Sequence, residues 1–303
     1  MTEPLSPPTH REHRVEVEPD QVLQVRDFGP ADGPTVVYHH GTPSCSLDVP
    51  GGWHGVPDGV RVLTFDRPGY AGSPHRPGRS VAEAGRWSEA IADALGIGHF
   101  ALMGTSGGGP HAAAAAAVLG DRITRLCVSV GLGPVGLPGF VWEEGMPAET
   151  IAEGRYAIKG EEELRTFIDS LMQQEDPMSE WMSQLPPSDQ ELLGRPDVQP
   201  EEAVVTAGAL ATGADGWVED DLALFHREWG VDLAAVTAET LLLYGGADVL
   251  VPHAHGDAML RAIGHGQLVK LPGAGHWMRD VEPAVLRWLV DVPGGPSFEP
   301  AGS

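Results

Sequence analysis

The chain has 303 residues, 42% hydrophobic and 20% charged, the composition of a globular protein with a sizeable core. Its formal net charge of −24 repels phosphate backbones and anionic lipid, which argues against nucleic-acid and membrane-surface partners. No apolar run approaches the roughly 20 residues that span a bilayer. Residues 1–13 are polar, contain proline and lack the apolar stretch of a secretory signal, so a partly disordered tail is expected there. Short strands are expected at 14–18, 21–27, 35–39 and 60–65. Residues 80–95 have helical spacing without proline. A strand at 100–103 leads through a glycine-rich turn into a helix at 111–119, and 123–130 reads as a buried strand.

From Gly131 to about Val236 the pattern changes: amphipathic helical stretches alternate with Pro/Gly breaks and acidic residues are frequent. Strand signals return at 240–244 and 267–271, with helices at 253–263 and 280–290. The end of the chain after Val292 is rich in Pro and Gly. Strands alternating with helices mean a parallel sheet with crossover helices. The interruption is too long for a loop and reads as an inserted helical cap. The expected division is a core of 1–133 and 237–303 with a cap of 134–236. Only Lys159 and Lys270 are lysines, against seventeen arginines; with abundant Ala, Gly and Pro this suggests a GC-rich bacterial genome. Cys45 and Cys127 lie far apart, Cys127 in an apolar run, and a reducing cytoplasm without a disulfide framework is expected.

Gly104-Thr105-Ser106-Gly107-Gly108 fits G-x-S-x-G between a strand and a helix, the setting of a nucleophile elbow. The helix behind Ser106 favours negative charge at an oxyanion. The plain alternative is a glycine-rich turn; a phosphate loop is disfavoured because no Gly-Lys-Ser/Thr follows. His40-Gly41-Thr42-Pro43 follows another strand. An oxyanion needs two N–H donors. Gly107 supplies one and Thr42 is the natural second, since Pro43 has no N–H. His40 reads as a loop organiser and Cys45 as packing.

A serine nucleophile needs a base, and the base needs an orienting carboxylate. Asp248 and His276 each follow a strand, at the edge where Ser106 also sits and where sites form in open α/β sheets. The chain order Ser, Asp, His is that of the hydrolases. Rivals are weaker. His253 and His255 are two apart and share no helical face, and no third metal ligand is evident. His265 precedes its strand. Asp66 sits in Asp-Arg-Pro-Gly, which suggests loop anchoring by an ion pair.

These motifs together resemble the α/β-hydrolase superfamily, over about residues 15–290. Five features carry the resemblance in order: His40-Gly41-Thr42-Pro43; 66–73, beginning Asp66-Arg67-Pro68-Gly69; Gly104 to Gly108; Gly246-Ala247-Asp248 with Val251-Pro252; and Gly273-Ala274-Gly275-His276. The resemblance implies an α/β fold with an eight-stranded, mostly parallel sheet, a Ser106–His276–Asp248 triad, and a helical cap after the sixth strand. Subfamily patterns are met only in part. Haloalkane dehalogenases and epoxide hydrolases carry Asp where this chain has Ser106. Proline iminopeptidases usually show tryptophan after the nucleophile, where Gly107 stands here. Haloperoxidases and esterases often have an aromatic residue at the position of Thr42. Meta-cleavage C–C hydrolases have a different oxyanion loop.

The expected activity is hydrolysis of a carboxylic ester, lactone or thioester of a small, largely apolar substrate, with no cofactor and no metal. The alternatives are a cofactor-free haloperoxidase or perhydrolase, a lyase, or a small-molecule binding protein of the same fold. Trp142, Trp217 and Trp277 are candidate substrate contacts. Other cap side chains such as Met178 and Trp181 could wall a pocket, pack the cap onto the core, or form a homodimer interface.

Overall fold

The computed structural model describes residues 7–173 and 177–291. The earliest part of the expected tail and the end of the chain after Asp291 lie outside the described residues, as does the side chain of Met178. Eight strands form one sheet: β1 (His10–Glu18), β2 (Gln21–Phe28), β3 (Thr35–His39), β4 (Arg61–Phe65), β5 (Phe100–Thr105), β6 (Ile123–Ser129), β7 (Glu239–Gly245) and β8 (Gln267–Leu271). Their spatial order is β1-β2-β4-β3-β5-β6-β7-β8. β2 runs antiparallel to both of its neighbours and every other pairing is parallel. The expected tail is corrected at His10. The strand begins there because Arg11 pairs with Asp27 at 2.6 Å and His10 lies opposite Phe28 in the ladder.

Successive strand residues point to opposite faces, and the core divides accordingly. Val37, Leu63, Leu102, Leu126 and Leu242 face one layer, against α1 (Ala84–Ala94) and α2 (Gly108–Leu119). Val36, Val62, Met103, Cys127, Leu241 and Leu243 face the other. Between β6 and β7 run α3 (Ala148–Lys159), α4 (Glu161–Met172), α5 (Pro177–Gln184), α6 (Pro187–Leu193), α7 (Gln199–Ala209) and α8 (Asp215–Asp221), followed by a π-helical turn, Leu222–His226. This helical segment has a small apolar core of its own around Ala157, Leu164, Ile168, Val218 and Leu222. α9 (Ala254–Ile263) packs on the first layer, and α10 (Glu282–Val290) on the second. Among the described residues no helix is long and apolar enough to cross a membrane. Cys45 and Cys127 are both buried and free.

Candidate active site

β5 ends at Thr105, and Ser106 follows in left-handed backbone with φ of 54°. A non-glycine residue there costs on the order of 1–3 kcal/mol, which the strand before it and the helix after it must hold. The turn is tight enough to exclude side chains at both flanking glycines. A Cβ on Gly104 would stand 2.2 Å from the Gly108 carbonyl oxygen, and one on Gly108 would stand 2.1 Å from that of His39. Ser106 N–H donates to the Ser129 carbonyl at 3.0 Å, and Gly109 N–H to that of Ser106 at 2.9 Å. Gly107 caps α2, so its N–H is not committed to the helix ladder.

The register His39↔Gly104 brings the loop after β3 beside this turn. A Cβ on Gly107 would lie 2.3 Å from Thr42 Oγ1 and 3.3 Å from Leu224 Cδ1, which makes Thr42 and Leu224 the neighbours of that turn. Arg67 fixes the loop. It donates to the carbonyls of His40 and Gly41 and, at 3.1 Å, to Thr42 Oγ1. The Gly41 carbonyl and the Thr42 N–H are opposite ends of one trans peptide, so this bond turns the Thr42 N–H away from Arg67. His40 Nε2 accepts from Arg67 N–H at 3.3 Å, leaving Nδ1–H to donate to the Gly41 carbonyl at 2.7 Å. Burial, then the Arg67 charge, holds that imidazole neutral, well below its usual range.

Arg67 is itself held from the helical segment. Asp220, on α8, accepts from Arg67, from Thr42 Oγ1 at 2.7 Å, from Tyr70 Oη at 2.8 Å and from Arg79 at 2.6 Å. Burial would raise this carboxyl, but Arg67 and Arg79 outweigh it and hold it well below the carboxylate range. Asp66 has the loop-anchoring role expected of it, with a long ion pair to Arg26 and shorter bonds to two amides. Asp66 accepts the amides of Ser46 (2.6 Å) and Gly72 (3.1 Å), with its nearest arginine, Arg26, at 3.9 Å. The closer ion pair of this motif is made by the next residue, Arg67, with Asp220.

On the other side, the Asp248 carboxylate is oriented by its own turn, Oδ1 accepting from Leu250 and Val251 N–H at 2.8 and 2.9 Å. Its Oδ2 faces His276 Nδ1 at 2.8 Å. With that proton on Nδ1, Nε2 is left as an acceptor, the tautomer a general base requires. Burial works to lower the His276 pKa, but Asp248 outweighs it and the net shift is upward. The pair is thus formed, and Ser106 stands at the same sheet edge after β5. Among the described residues the Ser106 hydroxyl makes no hydrogen bond to His276; such contacts commonly tighten only around substrate.

The tryptophans separate. Trp277 lies beside His276, ring centroids 5.3 Å apart, and meets Trp181 of α5 edge-on at 5.6 Å. Trp142 is buried against Phe225, and its carbonyl accepts from His255 Nε2 at 2.9 Å. Trp217 Nε1 donates to Glu153 at 2.6 Å, within the helical segment. His255 uses its other nitrogen to accept from Gly133 N–H, so the ring ties α9 to the chain leaving β6. Asp220 and Leu224 escaped sequence reasoning, as did Asp189 of α6, whose carboxylate accepts the amides of His276 and Trp277. A carboxylate in a helical run ordinarily reads as solvated, and nothing in the sequence marks Asp189 or Asp220 as buried.

A family model described as alpha/beta hydrolase fold matches residues 34–283. The chain is 25% identical over 276 residues to a non-heme chloroperoxidase from Burkholderia pyrrocinia, covering 86% of this chain and 91% of that one. It is 24% identical over 268 residues to a bifunctional esterase/perhydrolase from Acinetobacter calcoaceticus, covering 85% and 90%. An alpha/beta hydrolase fold protein from Nakamurella multipartita superposes with a TM-score of 0.65 at 24% identity, over 92% of this chain and 99% of the other.

Proposed function

The chain belongs to the α/β-hydrolase fold family, and from that premise we propose that it is a serine hydrolase acting through an acyl-enzyme on Ser106. The observation that carries the reading is the buried Asp248–His276 pair at 2.8 Å, set at the sheet edge where Ser106 occupies its strained turn. In this reading His276 Nε2 takes the Ser106 proton as the oxygen attacks a carbonyl. Asp248 stabilises the imidazolium that results. The N–H groups of Gly107 and Thr42 hold the oxyanion; one such donor contributes about 2.7–4 kcal/mol. The imidazolium then protonates the leaving group, and water, activated by the same base, releases the acid. No step calls for a cofactor.

The substrate we infer is a small, largely apolar carboxylic ester, lactone or thioester. Leu224 beside Gly107 and Trp277 beside His276 support an apolar surround. The helical segment, taken as residues 134–236, acts as the cap that closes over this carbonyl. The names of the two relatives, a chloroperoxidase and an esterase/perhydrolase, favour one further arm. Hydrogen peroxide in place of water at the acyl-enzyme would release a peracid from the same residues.

A fluorophosphonate probe and a panel of p-nitrophenyl esters of rising acyl length test the reading, with and without peroxide. Wild type is expected to be labelled at Ser106 and to turn over the short esters. Ser106→Ala is expected to melt at the wild-type temperature and to lose both properties. Turnover by Ser106→Ala at the wild-type rate would end the acyl-enzyme mechanism.

A further inference from the structure

Two anchors hold His276. The ring is fixed at Nδ1 by Asp248, which follows β7. The backbone is fixed from a different part of the chain. Asp189 Oδ2 accepts the His276 N–H at 2.8 Å, and Oδ1 accepts the Trp277 N–H at 3.2 Å. Asp189 is 1% exposed and sits in the first turn of α6. Its carboxylate serves the loop after β8, from which it is separated by 87 residues of sequence. The loop is shaped to receive it: a Cβ on Gly275 would stand 2.2 Å from Asp189 Oδ2, so a side chain at 275 would push the carboxylate off the two amides.

We propose that Asp189 is a positioning residue for His276, so that docking of the helical segment sets the geometry and charge of the base together with Asp248. The inference rests on the reading of His276 as the base. Holding the residue at both its amide and its Nδ1 leaves the imidazole little freedom to swing away from Ser106. A misplacement of about 1 Å at such a group can cost on the order of 100-fold in rate. The carboxylate also adds negative charge beside a ring that becomes positive during reaction. Negative charge on Asp248 from the β7 loop, on Asp189 from α6 and on Glu282 from α10 each favours the imidazolium, Glu282 being itself pushed up to about 7 by burial. Burial pushes the Asp189 carboxyl up, while the two amides oppose that rise. Edge-on packing of Trp181 against Trp277 adds a second, apolar tie between segment and loop.

A tether that only docks the segment would leave the titration of His276 alone, and this separates the two roles. The experiment is an NMR titration of the His276 ring, beside the pH dependence of fluorophosphonate labelling, in wild type, Asp189→Asn and Glu191→Gln. Glu191 lies on the same helix and is exposed. In Asp189→Asn the ring is expected to titrate at lower pH, the acid limb of labelling to follow it, and the plateau rate to fall roughly 10- to 100-fold. Glu191→Gln is expected to match wild type. An Asp189→Asn protein with a lower melting temperature but an unmoved His276 titration and labelling rate overturns the proposal. If Asp189→Asn fails to fold, Gly275→Ala carries the test, since it displaces the carboxylate without removing it. Absence of labelling in wild type would defeat the hydrolase reading alone; the ring titration still reads whether Asp189 is coupled to His276.

Discussion

The sheet and the helical segment bury different chemistry. Leu241 to Tyr244 of β7, Val36 and Val37 of β3, and Leu102 and Met103 of β5 are all buried and apolar, as expected where helices cover both faces of a parallel sheet. The segment between β6 and β7 instead buries Asp189, Glu201, Glu219, Asp220 and Asp221 beside its small apolar core. Four of these reach loops of the sheet: Asp189 the amides of 276 and 277, Glu201 the amide of Trp53 at 2.9 Å, Glu219 the amide of Gly78 at 3.0 Å, and Asp220 the cluster of Thr42, Arg67, Tyr70 and Arg79. Apolar burial is non-directional and tolerates a small slip. A carboxylate bound to two amides does not. The central strands are therefore held mainly by amount of burial, with a directional ion pair of Asp27 to Arg61 at the β2–β4 edge, and the segment by direction, at the loops that carry the candidate site.

The largest test of this contrast is Asp220→Ala. It strands Arg67 and Arg79, both fully buried, and removing one partner of a buried pair costs about 3–5 kcal/mol. Urea unfolding should show that loss. It should equal or exceed the loss in Leu242→Ala, a sheet-core truncation of about 2–5 kcal/mol. Esterase activity should fall further in Asp220→Ala, because Arg67 then no longer fixes the Gly41–Thr42 peptide. If Asp220→Ala unfolds like wild type, the segment does not depend on its buried carboxylates and the contrast is gone.

A smaller effect sharpens it. Glu202, beside Glu201 on α7, is pushed up to about 7 by desolvation and then by Asp48, with Arg279 only partly opposing; its side chain is 36% exposed, so solvent screens much of this and the effect on stability is small. A carboxyl whose folded pKa exceeds its unfolded value binds more protons when folded, so stability falls as pH rises through that window. For Glu202 the loss runs from about 4.5 up to about 7 and is complete above it. Glu202→Gln should therefore raise the melting temperature at pH 8 and leave it unchanged at pH 4, near or below both values. A gain that is equal at both pH values would show that charge is not the cause.

How much was legible follows the same division. The strands of the sheet were readable because short β-branched and apolar runs end at glycine or proline. Ser106, Asp248 and His276 were readable because each motif directly follows such a run. The first residues of β1 were not: the alternation of His10, Arg11, Glu12 and His13 is polar on both faces, and its pairing with β2 rests partly on the ion pair of Arg11 to Asp27. Inside the segment, helical spacing was visible but orientation was not. Asp220 and Thr42 are 178 residues apart, and no local period announces a contact of that range. Trp142 and Trp217 show the same limit. An aromatic in an amphipathic run can face a pocket or the segment's own interior, and here the Trp142 ring meets Phe225 and the Trp217 indole donates to Glu153.

The smallest expected effect isolates burial as the variable. Arg195, in the segment, donates to Asp280, in the sheet domain, at 3.0 Å. This bond joins the same two regions as the contact of Asp189 with His276, with comparable geometry and full opposite charges. The difference is solvent: the two side chains are 38% and 69% exposed. Water and salt screen such a pair, and ordering two long side chains offsets much of what remains. Asp280→Asn should therefore leave the melting temperature and ester turnover unchanged, at low salt as well as high. A loss approaching that of Asp220→Ala would mean that any bond across this boundary holds the segment in place. The wild-type result would mean that only carboxylates shut away from water do so, which ties the integrity of the site to how tightly the segment closes on the sheet.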